Sequence, residues 1–358
     1  MTEARDWEQL VHPDEAVVVL GSLHAFVQDV RLDRSKVRSV QVVLDGKAHH
    51  APFFDPWGER GLISLAHHPM KPNVVYAATS TGLLKVDLQQ QGAVDFMIPN
   101  LRDVHELTMI GDTLWIASTQ GDEAVAFDIH QERVSERVNL AMYGSTAKVT
   151  ATPEDDEDAR QQDEGRELVV DERDVVDKFH CNQVFEGFEG DRYALVHYVM
   201  GNQLRVTQLA RRVARKVLRR QANGGVINLT TGRTIPLNLK GPHTVRKVRG
   251  EYWICDSANS QVNIYDPEWN LKERIPSKGW VRGADVSERL GLYYLGISEF
   301  RRRYLAVNPT IQQTPNMVQA VSMETKTPVG ELALSGIEQV TAVYVVPREV
   351  GLAMVELR

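Results

Sequence analysis

Two cysteines, Cys181 and Cys255, are all the thiol chemistry that 358 residues carry. That is too few for a disulfide framework and favours a reducing compartment, so a cytoplasmic location is expected. No apolar run approaches the roughly 18 residues that cross a bilayer. The acidic, polar opening MTEARDWEQLVHPDE lacks the charged-then-apolar pattern of a secretory signal. Also missing are GxSxG, GxxxxGK(S/T), HExxH, the Rossmann GxGxxG, CxxC and the EF-hand loop. These absences leave no sequence basis for an organic cofactor. Net charge is scarce outside one segment. Residues 154–178 hold twelve acids against four bases, a local −8 of the overall −7, so the remaining chain is near neutral and its charge balance says little about a partner.

What is present is a repeat. His105, Trp115 and Asp128 recur as His243, Trp253 and Asp266 with identical spacing, in HELTMIGDTLWIASTQGDEAVAFD and HTVRKVRGEYWICDSANSQVNIYD. Each stretch runs from histidine through a turn into an aromatic strand, then into a strand closed by aspartate. A fixed unit of short strands signals a repeat architecture. Similar units begin at GLISLAHHP (61–69), FHCNQV (179–184), VRGADVS (281–287) and IEQVTAVYVV (337–346). The last unit has one further strand, GLAMVEL (351–357), before the chain ends. AVVVLG (16–21), HAFVQDV (24–30) and VRSVQVVLD (37–45) are expected to complete it. The fold expected is all-β, one six-bladed β-propeller over 1–358, closed by pairing of N- and C-terminal strands so that no sheet edge is left open. Five or seven blades are the alternatives.

Three inserts interrupt the repeat, at 145–178 (acidic), 201–223 (basic) and 300–316. Loops in four-stranded blades alternate between the two faces, which places all three on the face where inner strands begin. Long loops on a rigid scaffold are where function concentrates. Within the second, LRVTQLARRVARKVLRR (204–220) reads as a short helix with seven bases, no acid, and an apolar stripe of Val206, Leu209, Val213 and Val217. A solvated cationic face, an anion-attracting lid, and a nucleic-acid or acidic-membrane contact all fit this pattern.

His105 and His243 open inner strands at the mouth of the central channel. His180 opens blade three, with Asn182 two residues on; Arg282 and Asp285 lie in blade five and Glu338 in blade six. Three imidazoles, His105, His180 and His243, suit a divalent transition metal with an open coordination position. Without metal, the same groups with Asn182, Arg282 and Glu338 could bind an anion or act as acid and base. The alternative for each histidine is a hydrogen bond to the neighbouring blade. His197, mid-strand, reads as core or hydrogen-bonded, and His67 and His68 as loop or packing residues. Trp115, Trp253, Tyr76 and Tyr193 read as packing between blades, Asp87, Asp128 and Asp266 as turn residues, and Asp256 and Ser257 as turn-forming.

PHTVRKVRGEYWICDS (242–257), HCNQV (180–184) and RGADVSERLGLYYLGISEFRRR (282–303) together resemble a little-characterised family of bacterial β-propeller proteins with Pro-His, His-x-Asn and Arg-Gly strands. The resemblance covers roughly 179–303. More distantly, these motifs are similar to propellers of the arylsulfotransferase and streptogramin-lyase types, a likeness that implies work for histidines at the channel mouth. The sugar-lactonase type differs, because its opening glutamate motif has no counterpart here.

Two functions follow as expectations. One is an enzyme, a metal- or histidine-dependent hydrolase or lyase acting on a small polar or anionic molecule at the channel mouth. The other is a non-enzymatic propeller that binds a protein or nucleic acid through its inserts, with nucleic acid the less favoured partner on the basic insert's small charge.

Overall fold

Short strands rich in Val, Ile, Leu and aromatics, cut by Gly, Asp and Asn turns, leave each sheet with two apolar faces that a neighbouring sheet must cover. The computed structural model describes residues 6–23, 34–55, 57, 61–143, 179–199, 224–299 and 314–358. They form six antiparallel four-stranded sheets, a six-bladed β-propeller. The inner strands, blades one to six in order, are Ser64–His67, Val104–Ile110, Cys181–Glu186, Pro242–Val248, Trp280–Ser287 and Gln339–Pro347. Each packs on the next, and the sixth returns to the first, so the ring is closed. Six apolar clusters fill the six interfaces between blades. Trp115 joins blades two and three, Trp253 blades four and five, Tyr76 blades one and two, and Tyr193 blades three and four. Outer strands alternate exposed and half-buried residues, as Arg133–Asn139 does, because only one of their faces meets a neighbour.

Closure uses both chain ends, with a corrected composition. The C-terminal strand Gln339–Pro347 is the inner strand of blade six, and Glu15–Ser22 pairs with it from Glu15↔Pro347 to Ser22↔Gln339. Val40–Leu44 and Lys47–His50 complete the sheet. The segment 351–357 is not a strand. It belongs to an α-helix, Arg348–Glu356, whose Val350 and Met354, together with the following Leu357, pack on Ala16, Val42 and Leu44. Spacing of i, i+4 and i+7 puts these three on one helical face. The expected strand 24–30, the inserts 145–178 and 201–223 with the helix read over 204–220, and residues 300–313 of the third insert lie outside the described residues. Among the described residues no helix is long and apolar enough to cross a membrane.

The Asp87, Asp128 and Asp266 side chains do close turns. Asp128 Oδ1 accepts from the backbone of His130 and Gln131 at 2.8 and 2.9 Å, and Asp87 and Asp266 act likewise. His68 is buried, with Nδ1 accepting from Met70 and Lys71.

Inner strands share one irregularity that positions the site. In blades two to six, the inner strand carries one residue more than its partner near its start. The extra residue is Glu106, Asn182, Thr244, Gly283 or Thr341. Around these bulges, side chains from all six blades bond to other blades. Glu106 accepts from Arg246 at 2.8 Å and from Thr244 at 3.0 Å. Arg246 Nε also lies 3.5 Å from Asp285, whose other oxygen accepts from Val345 N. Tyr344 meets Ser64, and Gln183 accepts from Val245 N. Burial pushes the Asp285 carboxyl above its ordinary range, against the pull of Arg246.

Candidate functional site

Register defines an equivalent position in blades two to six, the residue just before the bulge. It is His105 in blade two, Cys181 in blade three, His243 in blade four, Arg282 in blade five and Val340 in blade six. The blade-three histidine is therefore displaced by one residue from its expected place. His180 precedes the strand in a left-handed conformation, φ 56°, which a non-glycine residue adopts only when its surroundings impose it. Asp122 imposes it here, accepting from Phe179 N and His180 N at 2.9 and 3.1 Å, while His197 N donates to His180 O.

That displacement brings four imidazoles together. Ring centroids run 5.1 Å from His105 to His180, 4.0 Å from His180 to His197, 5.5 Å from His197 to His243 and 5.9 Å from His243 back to His105. The contacts close a four-membered circuit. Trp280 borders it, 5.8 Å from His243. His243, Trp280 and Arg282 are buried, whereas His105, His180 and His197 are half-buried and reach solvent. The expected trio of His105, His180 and His243 is thus assembled, and His197 joins it. His197 was read as mid-strand, but the second strand of blade three ends at Val196. Its signal was cross-strand: the end of a second strand lies beside the start of the inner one.

The two repeated histidines are held in the same way. A left-handed residue two positions ahead, Asp103 (φ 48°) or Gly241 (φ 60°), turns its carbonyl to Nδ1, at 3.1 Å for His105 and 2.9 Å for His243. A hydroxyl fourteen residues on completes each cradle. Thr119 Oγ1 lies 2.6 Å from His105 Nδ1, and Ser257 Oγ 2.7 Å from His243 Nδ1. Each hydroxyl gives its own hydrogen to the next blade, Thr119 to Cys181 O at 2.7 Å and Ser257 to Val281 O at 2.5 Å. With that hydrogen spent, Nδ1 must be the donor, because both remaining partners are acceptors. Each ring therefore carries its proton on Nδ1 and a lone pair on Nε2. The two turn-forming residues read from sequence thus include one, Ser257, that orients the site.

Electrostatics agrees with neutral rings. Burial lowers the pKa of His105 to about 3, with Arg282 and His180 adding to the effect and Asp103 opposing it. Burial, then Arg282 and the neighbouring histidines, hold His243 well below its ordinary value. Both rings present unprotonated Nε2 at neutral pH, as ligands or acceptors.

The other expected residues fall differently. Arg282 shares the register position of His105 and His243. Asn182 is the bulged residue of blade three and fully buried; its Nδ2 donates to Pro242 O at 2.5 Å, a link between blades. Glu338 is half-buried, two residues before Val340 and level with Asp103 and Gly241. Cys181 faces an apolar cluster between blades two and three. Among the described residues, no three His, Cys, Asp or Glu side chains are arranged to hold a metal ion.

Comparison with known proteins adds a family segment and a fold. Residues 201–354 match a domain of unknown function, DUF4915. No curated protein matches the chain. A structure of the nidogen/laminin complex is similar at 9% identity and a TM-score of 0.52, over 93% of this chain and 98% of that one. A Bacteroides caccae protein of unknown function is similar at 10% identity and 0.52, over 93% and 99%. An inactive virginiamycin B lyase variant from Staphylococcus aureus with quinupristin gives 11% identity and 0.43, over 76% and 70%. At such identities the likeness is one of fold.

Proposed function

We propose that the chain is a histidine-dependent enzyme of the hydrolase or lyase type, acting on a small polar or anionic molecule at the channel mouth. The observation that supports this most is the paired cradle that leaves Nε2 of His105 and His243 as acceptors in one half-buried circuit of imidazoles. A purely structural histidine needs no fixed lone pair. A general base needs one. Arg282 shares the strand position of His105 and His243 in blade five, and in this reading its positive charge stabilises the negative charge that develops when a proton leaves a carbon or a water attacks a carbonyl. His180 and His197, stacked on each other, are suited to pass the proton on.

The test is a turnover screen of small anionic esters, lactones and β-substituted acids near neutral pH. Wild type is expected to act on at least one. His243→Gln and His105→Gln should each lower that rate by roughly 10²–10⁴-fold with unfolding unchanged, the range of general acid–base catalysis. No turnover by the wild type, or full activity in both variants, contradicts the reading.

A further inference from the structure

Blades two and four, which match in sequence, differ on their third strands. In blade two, Val125 and Phe127 are buried there, and Phe127 lies 5.1 Å from Phe96 on the outer strand Gly92–Phe96 of blade one. One repeat later, 138 residues on, these positions are Asn263 and Tyr265. There the interface between blades three and four opens into a groove of about 500 Å³ between the outer strands Thr234–Leu239 and Leu271–Pro276. That volume falls within the roughly 300–1,000 Å³ usual for small-molecule sites. Closing a blade does not require a polar floor, since blade two closes on apolar residues.

Asp256 organises this floor. Its counterpart in blade two, Ser118, accepts from Arg102 N and donates to Arg102 O. Asp256 Oδ1 keeps the first of these bonds, accepting from Lys240 N at 2.7 Å. Its Oδ2 gathers donors from the groove instead: Asn259 Nδ2 at 2.7 Å, Gln261 Nε2 at 3.2 Å and Asn263 Nδ2 at 3.5 Å. Gln261 Nε2 also donates to Asn263 Oδ1 at 2.8 Å. Asp256 is buried, so it orients the amides rather than meeting a ligand itself.

With their nitrogens turned to Asp256, Asn259 and Gln261 keep Oδ1 and Oε1 as acceptors that meet no donor among the described residues. Arg274 on the groove wall supplies donors and no acceptor. A carboxylate ligand would turn lone pairs toward the amide oxygens and bring charge near Asp256. An ammonium would be repelled by Arg274. Neighbouring hydroxyls suit both, because each can donate to an amide oxygen and accept from a guanidinium. Leu237, Leu271 and Trp269 add apolar surface for the C–H faces of a sugar ring. We propose that the groove between blades three and four binds a short neutral saccharide.

Titration calorimetry tests this, with glucose, galactose, N-acetylglucosamine, maltose and cellobiose as neutral probes and glucuronate and glucosamine as charged ones. At least one neutral probe should bind the wild type saturably and more tightly than both charged ones. Asn259→Ala combined with Gln261→Ala should weaken that binding by about ten-fold or more, as loss of two hydrogen bonds does. Asn263→Val with Tyr265→Phe, which writes the blade-two residues into blade four, should weaken it likewise. Should this second variant fail to fold, the half-buried Asn259 and Gln261 decide alone. His243→Gln should leave binding unchanged, since no imidazole lines the groove, which keeps the result independent of the enzyme reading. The proposal is overturned by no saturable binding of any neutral probe, or by tighter binding of glucuronate or glucosamine. It is equally overturned by a neutral probe whose affinity survives the Asn259 and Gln261 substitutions or falls in His243→Gln.

Discussion

One residue type does several jobs in this chain, and its hydrogen-bond partners decide which. His68 turns Nδ1 to backbone donors and is a buried turn residue. His105 and His243 turn Nδ1 to acceptors, which leaves the lone pair on Nε2. Their depressed pKa values have a testable sign. An unfolded histidine titrates near 6.5, whereas folded His105 does so at about 3. Between those values the unfolded chain binds the extra proton, so these histidines destabilise the fold progressively as pH falls from about 6.5 towards 3. Burial raises Asp256 and Asp285, which take up protons more readily when folded and oppose the loss at the acid end. In an NMR titration, the His105 and His243 ring signals should stay flat from pH 8 to about 5, and a midpoint near 6.5 for either contradicts the burial argument. His105 and His243 were legible in the sequence because their neighbours repeat with them. Thr119 and Ser257 repeat at the same spacing, yet their role stayed hidden, since a hydroxyl ending a strand reads equally well as a turn.

Strand elements were legible, their registers less so. Alternating apolar residues announce a strand, but a bulge leaves no mark on that alternation except where glycine is required. Gly283 is such a place. Its φ is +73°, and a Cβ there would lie 2.4 Å from Ala342 Cα on the inner strand of blade six. Gly283→Ala should therefore cost about 3 kcal/mol or more in urea unfolding, through backbone strain and a clash that cannot relax. Gly250→Ala is the control. It has φ +83° with nothing within 4 Å, and should cost only the strain of about 1–2 kcal/mol. Equal losses would show that the close approach of blades five and six does not matter. The same unseen bulges explain why His180 fell one residue out of the expected register. Residues 351–357 went astray for another reason. Seven residues with apolar positions fit a strand or a helix, and the need for a second strand in blade six favoured the wrong one.

For the whole molecule, ring closure was readable because the last repeat was incomplete and the first strands had no other partner. The axial network was not, since Glu106, Arg246 and Asp285 belong to three blades and no local pattern links them. That network ties the blades together at the cost of burying charge. Glu106→Ala leaves the Arg246 guanidinium with only Asp285 as an acidic partner, and Thr244 without its acceptor. It should lower unfolding free energy by roughly 3–5 kcal/mol, as loss of one partner of a buried pair does. A loss below about 1 kcal/mol, the value of an exposed pair, would mean that water reaches Arg246 freely and that the channel is open at this level.

The fold holds His105 and His243 as neutral rings with the proton on Nδ1 and the lone pair on Nε2. Long-range ¹H–¹⁵N correlation of the imidazoles at neutral pH reads this directly, since protonated and lone-pair nitrogens differ widely in shift. Wild type should show the Nδ1–H pattern for both rings, and the pattern should persist in Thr119→Val and Ser257→Ala, where the carbonyls of Asp103 and Gly241 still accept from Nδ1. An Nε2–H or doubly protonated pattern in the wild type would contradict it.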